Sequence, residues 1–198
     1  MKKLPRTFYT RPTLSVAKSL LGKTLVRKIG RTTLSGKIIE VEAYLGKGDP
    51  ASHAFRGKTK RNEVMFGEGG HLYVYFTYGM HFCANVVTGK EGVGEAVLIR
   101  AIEPLKGIGV MKRNRGFADV RHLQGVRRLT LTNGPAKLCE ALGIKREDNG
   151  TDLCGGKIFI VQGAKPRAVI GTSTRIGISR GKEKKWRFYL KGNEWVSR

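Results

Sequence analysis

Acidic residues are what this chain has least of. Its 198 residues include 38 Lys+Arg but only 15 Asp+Glu, a formal net charge of +23. That excess is larger than solubility requires and implies a polyanionic partner, bound by phosphate neutralisation. Cysteine is also scarce. Cys83, Cys139 and Cys154 are odd in number and form no C-x-x-C pair, which argues against a disulfide framework and against a zinc or iron–sulfur site. They read as small buried hydrophobes. No run approaches the roughly 20 apolar residues of a membrane span. Met1–Lys3 leads into Leu4-Pro5 rather than a secretory apolar stretch. A soluble, intracellular protein with no membrane partner is expected. A strand, glycine-rich loop and helix in succession are missing too, so no nucleotide cofactor is expected.

What is present can build a core. Apolar residues make up 40% of the chain, enough for one domain over residues 1–198, and no repeat or low-complexity linker divides it. The positive charge is spread along the chain rather than confined to a tail. Arg56, Lys58, Lys60 and Arg61 form one group. Lys112, Arg113, Arg115, Arg121, Arg127 and Arg128 form a second, and Lys182, Lys184, Lys185 and Arg187 a third. On charge alone, a structural RNA-binding protein fits equally well.

Periodicity gives the coarse architecture. Residues 13–21 read as a short amphipathic helix stopped by Gly22. Thr24–Ile29 and Thr33–Tyr44 read as a hairpin around Gly30-Arg31. His71–Phe76 and His81–Thr88 read as a second hairpin with Tyr78-Gly79-Met80 at its tip, and Glu95–Ile102 as a further strand. Helical stretches are expected from Pro104 and around 119–129. A clearer helix opens at Pro135, with Gly143 beyond its end. Lys157–Val161, Ala168–Ile178 and Arg187–Leu190 read as closing strands. The fold expected is α+β: a mostly antiparallel curved sheet with a protruding hairpin and helices packed outside it.

Three segments could carry chemistry. In IIEVEAYLG, strand alternation puts Glu40, Glu42 and Tyr44 on one face, the carboxylates about 7 Å apart. Both may be read as solvated or arginine-paired, or one as a base that activates water. In HLYVYFTYGMHFCAN, Tyr73 and Tyr75 suit core packing. Tyr78, at a hairpin tip beside Gly79, has little protein to pack on and suits a wedge between stacked bases. In EAVLIRAIEP, Arg100 interrupts an apolar strand and needs an anion, for which a nearby glutamate is the natural choice.

These segments, with RNEVMF, LTNGPAKLCEALGI, TRIGIS and RFYLKGNEWVS, resemble the alkyladenine (3-methyladenine) DNA glycosylase family, in its order, from about residue 13 to the end. The resemblance implies a glycosylase that flips damaged purines out of double-stranded DNA and cleaves the base–sugar bond. It identifies Glu42, rather than Glu40, as the general base, with Arg100 and the backbone carbonyl of Ile176 also holding the water. It places Tyr44 on one side of the flipped base, His53 and Tyr75 on the other, and Asn85 against guanine's 2-amino group. Tyr78 matches the intercalating residue, and Met65 one that wedges near the same step. No lysine of the matched motifs sits at a nucleophile position, which implies a monofunctional hydrolase. The resemblance further implies a monomer without cofactor or metal, cytoplasmic and nucleoid-associated in a prokaryote, nuclear in a eukaryote. The loop at 46–62 is shorter than in mammalian members, so phosphate contacts at Lys58, Thr59 and Lys60 do not carry over individually. The stretch 106–129 matches poorly and supplies no site residue. A metal-dependent nuclease with Glu40 and Glu42 as ligands, and a non-catalytic nucleic-acid-binding protein, are the competing readings.

Overall fold

The structure, a computed structural model, describes residues 2–117, 130–163, 166 and 168–197. Its spine is one long strand. β1 (Thr24–Ile29) turns back into β2 (Thr32–Tyr44), whose 13 residues are almost continuously buried. Along one edge β2 pairs with β5 (Glu95–Lys106). Its other edge is shared: Thr32–Lys37 pair with β1, and Glu40–Glu42 pair with β8 (Arg187–Leu190). One strand thus changes partner midway, which curls the sheet. β3 (Leu72–Thr77), β4 (His81–Thr88), β6 (Ile158–Val161) and β7 (Ile170–Ser173) complete an antiparallel set in the order β3-β4-β5-β2-β1-β6, with β7 on β8.

Two irregularities lie opposite each other in the β2–β5 ladder. Ile38 pairs with Ile102, Glu40 with Ala101 and Val41 with Ile99, which leaves Ile39 and Arg100 without a partner across the ladder. Each is an extra residue in its strand. Bulges of this kind bend a strand and re-aim a side chain. Here they bring Arg100 beside both glutamates of β2.

Helices cover the sheet. α1 (Arg6–Tyr9) precedes α2 (Thr13–Leu20), which buries Val16, Ala17 and Leu20 on one stripe and ends one residue earlier than its periodicity suggests. The helix expected from Pro104 begins later, because β5 continues to Lys106 and α3 spans Ile108–Asn114. Gly107 makes the corner at φ 74°, where a Cβ would lie 2.3 Å from a Leu34 methyl. α4 (Pro135–Leu142) starts on its proline and is capped by left-handed Gly143. The helix expected around 119–129 lies outside the described residues. The main core joins Tyr9, Leu20, Leu25, Ile38, Ile99 and Leu142, among others, between these helices and the sheet. A smaller core of Ala54, Met65, Tyr73, Val87 and Ala96 supports the long loop after β2.

The strand expected over 168–178 is much shorter. Only Ile170–Ser173 pairs with β8. From Thr174 the chain leaves the sheet, because Arg175 and the Ile176 amide find side-chain partners on and beyond β2.

Candidate active site

A cavity of about 370 Å³ opens between the β3–β4 hairpin, the loop after β2 and the segment 174–178. That size suits a small organic group. Eight of the nine expected site residues line it: Tyr44, His53, Met65, Tyr75, Tyr78, Asn85, Arg100 and Ile176. Tyr78 stands at its rim. Glu42 lies just below the lining, at 0% exposure, and reaches the cavity through three of its neighbours.

Those neighbours define its state. Glu42 Oε2 accepts from the Tyr44 hydroxyl at 2.8 Å and from Arg100 Nη1 at 3.2 Å. Its Oε1 accepts from the Ile176 amide at 2.7 Å. A buried carboxylate can stay charged only when so paired. Each carboxylate oxygen can accept two hydrogen bonds, so Oε1 keeps one acceptor position among the described residues. Ile176 thus holds the carboxylate through its amide, a contact separate from the one with water expected of its carbonyl.

Glu40 is different. Its carboxylate takes Arg100 Nε at 3.1 Å, Arg187 Nε at 2.6 Å, the Ser197 amide at 2.6 Å and the Ser197 hydroxyl at 2.7 Å. Three of these bonds fall on Oε1 and one on Oε2, and of the partners only Arg100 lines the cavity, whereas all three partners of Glu42 do. This corrects the surface role expected of Arg187, whose side chain is 12% exposed and committed to Glu40 and the Ser197 carbonyl. Arg115 of the second basic group is likewise paired, with Glu140. The Arg100 guanidinium bridges the two carboxylates, in the position a shared metal ion would need. A two-glutamate metal centre does not fit this donor arrangement.

The wall opposite Ile176 is aromatic. His53 and Tyr75 meet edge to face with ring centroids 4.5 Å apart, and Tyr73 lies 5.6 Å from Tyr75. His53 Nδ1 shares a 3.0 Å hydrogen bond with the Tyr73 hydroxyl. His53 keeps a solvent-reachable face, but the protein packed around it and the Arg61 cation lower its pKa, so the ring is neutral at pH 7. Burial pushes the Tyr73 phenol up to about 12, and raises those of Tyr44 and Tyr75 further. At neutral pH these aromatic side chains are uncharged. Asn85 sits on β4 between Tyr73 and Leu98, 4% exposed, with Nδ2 donating to the Tyr73 carbonyl at 3.2 Å.

Tyr78 is 83% exposed at the hairpin tip. Its φ is 52° and that of Gly79 is 65°, with Met80 N bonded to the Thr77 carbonyl at 3.3 Å. Two left-handed residues in succession make a type I′ turn, at a steric cost for tyrosine. Met65 is not its neighbour in function. It is 2% exposed, in a short helical turn at Glu63–Phe66, and packs against Tyr73 in the cavity wall. A side chain so enclosed cannot enter a base stack, which corrects the wedge role expected of it. Arg56, Lys58 and Lys60 are exposed in the loop after β2, and Arg61 lines the cavity.

Sequence reasoning missed the strongest ion pair near the site. Asp49 and Arg175, both fully buried, form a two-pronged bridge at 2.6 and 2.7 Å. The signal available was an aspartate inside an otherwise basic loop, GKGDPASHAFRGK.

Comparison with known proteins adds an independent line. Residues 7–194 match the family model described as methylpurine-DNA glycosylase. A protein of Carboxydothermus hydrogenoformans is 55% identical over 197 residues, covering 98% of each chain. One of Methanoculleus marisnigri is 50% identical over 199 residues, again covering 98% of each. One of Clostridium acetobutylicum is 48% identical, covering 98% of this chain and 97% of its own. All three are provisionally named 3-methyladenine DNA glycosylases.

Proposed function

This chain belongs to the methylpurine-DNA glycosylase family, and from that premise we propose how its site works. The enzyme flips alkylated or deaminated purines, such as 3-methyladenine, hypoxanthine and ethenoadenine, out of duplex DNA. It then hydrolyses the N-glycosidic bond and leaves an abasic site without cutting the strand. The observation that carries this reading is Glu42. It is fully buried and held by Tyr44, Arg100 and Ile176, with one acceptor position left on Oε1. A water donating to that position would be aimed into the cavity.

The steps follow from charge. The C1′–N bond of the flipped nucleotide breaks as the water oxygen bonds to C1′. The water's proton passes to Glu42, and the bonding pair leaves with the purine. Positive charge develops on the sugar, as in glycoside hydrolysis, and the Glu42 carboxylate stabilises it. An alkylated purine is cationic and leaves as a neutral base. Hypoxanthine and ethenoadenine are neutral and leave as anions that take up one proton from solvent, matching the one that the water gives to Glu42. Tyr44 on one side and His53 with Tyr75 on the other hold the base, and a neutral His53 suits a purine of either charge. Tyr78 occupies the vacated step in the stack, which offsets part of the few kcal/mol that flipping costs.

Duplexes carrying one 3-methyladenine, hypoxanthine or ethenoadenine test the reading. Incubation in excess EDTA should release the free base and leave an alkali-labile site, and borohydride should trap no protein–DNA adduct. A requirement for added metal, or a trapped adduct, would replace the water mechanism with another.

A further inference from the structure

The Asp49–Arg175 bridge lies outside the direct chemistry, yet it ties together three segments that shape the cavity. Arg175 Nη1 donates to Asp49 Oδ2 at 2.6 Å and to the Ala43 carbonyl at 3.0 Å, and Nη2 donates to Asp49 Oδ1 at 2.7 Å. Its guanidinium plane lies between two rings, 4.6 Å from the Tyr44 centroid and 5.1 Å from that of Trp186. Asp49 also accepts from the amides of Leu45 at 3.1 Å and Ala51 at 3.3 Å. One ion pair therefore fixes the end of β2 with Tyr44, the loop that leads to His53, and the segment that carries Ile176.

The last of these connections matters most. Ile176 follows Arg175 directly, and its amide is the sole protein donor to Glu42 Oε1 among the described residues. The Tyr44 ring under the guanidinium carries the hydroxyl that binds Oε2. Two of the three donors to Glu42 are thus placed through Arg175. The ion pair has no exposed atoms to offer DNA, since both side chains are at 0% exposure. A bidentate, ring-stacked arginine is also the arrangement lysine reproduces worst, because lysine has neither the planar fork nor the stacking face.

We propose that Asp49 and Arg175 are a positioning pair that sets the geometry of the Glu42 carboxylate, and that they control the rate of base release rather than affinity for DNA. This rests on the reading of Glu42 as the base. Displacing a reacting group by a fraction of an ångström to 1 Å can cost up to about 10²-fold in rate.

The test compares Arg175→Lys, Asp49→Asn, their double variant and Glu42→Gln. For each, the single-turnover rate on a hypoxanthine duplex is set beside the affinity for a duplex with a tetrahydrofuran abasic analogue, at a temperature where thermal melting shows the variant folded. Each single variant of the pair should lose about 10- to 100-fold in rate and keep its affinity within about twofold. The double variant should lose little more than the worse single, because both residues act through one contact. An unchanged rate in Arg175→Lys beside an inactive Glu42→Gln would overturn the proposal alone. So would losses that multiply in the double variant, or affinity that falls with the rate. Should Arg175→Lys fail to fold, Asp49→Asn decides by the same two measurements. An active Glu42→Gln would remove the base assignment itself, which is a separate arm of the experiment.

Discussion

Two glutamates separated by one valine on the same strand have opposite fates, and their neighbours decide which. Glu40 accepts four hydrogen bonds and is closed off by Arg187 and Ser197. Glu42 shares Arg100 with it, but all three of its partners line the cavity. Strand alternation put both carboxylates on one face, so the pair was readable in the sequence. Their different surroundings were not readable from the residues themselves, because Arg187 and Ser197 are distant in the chain and join Glu40 only when β8 pairs with β2, and only the family resemblance singled out Glu42. Asn85 poses a second question at this scale. Its bond to the Tyr73 carbonyl holds the side chain in place, and a fixed side chain on the cavity wall can crowd the 2-amino group that guanine carries and adenine lacks. Asn85→Ser should raise excision of guanine analogues relative to hypoxanthine by roughly 10-fold or more, since small overlaps and unpaired polar groups are worth a few kcal/mol. Relative rates on the two substrates check this. An unchanged ratio with lowered stability would leave Asn85 a structural residue only.

The β3–β4 hairpin is the element most exposed to its partner. Its strands were readable from the alternation of LYVYFT and HFCANVVT, and its turn from Gly79. What the alternation could not give was the pair of bulges at Ile39 and Arg100, because an extra residue in each strand leaves the period intact on either side. Nor could it show that 174–178 leaves the sheet, since TRIGIS reads as strand until Arg175 and Ile176 are seen bonding to Asp49 and Glu42. The tip itself makes a separable test. Tyr78 holds a left-handed backbone that glycine adopts freely, at a cost to tyrosine of about 1–3 kcal/mol. Tyr78→Gly should therefore melt no lower than the parent. It should still lose most base release from fully paired duplexes and less from mispaired ones, where there is less of a stack to refill. Equal loss on both substrates would place Tyr78 in the pocket instead of in the stack.

For the whole molecule, four of the fifteen acids are spent inside. Glu40, Glu42, Asp49 and Asp148 are all at 0% exposure and each is paired with arginine. The arginines paired with them are buried too, so the interior charges nearly cancel and the exterior carries the net +23. No helix among the described residues is long and apolar enough to cross a membrane. The charge was the plainest signal in the sequence, and its use should be visible in solution. Affinity for undamaged duplex should fall by about 10³-fold or more between 50 and 200 mM salt, the range for a protein that neutralises several phosphates. A flat salt titration would assign the charge to some other purpose.

The central claim is that Glu42 drives base release, and one measurement reaches it most directly. Glu42→Gln and the parent are compared on a hypoxanthine duplex, in EDTA, by single-turnover base release and by equilibrium binding. The amide keeps the shape of the carboxylate but cannot take a proton from water. Binding within a few-fold of the parent, with a rate lower by roughly 10²-fold or more, is the expected result. A near-parental rate in Glu42→Gln, with Glu40→Gln folded and inactive, would contradict it and assign the chemistry to the other carboxylate.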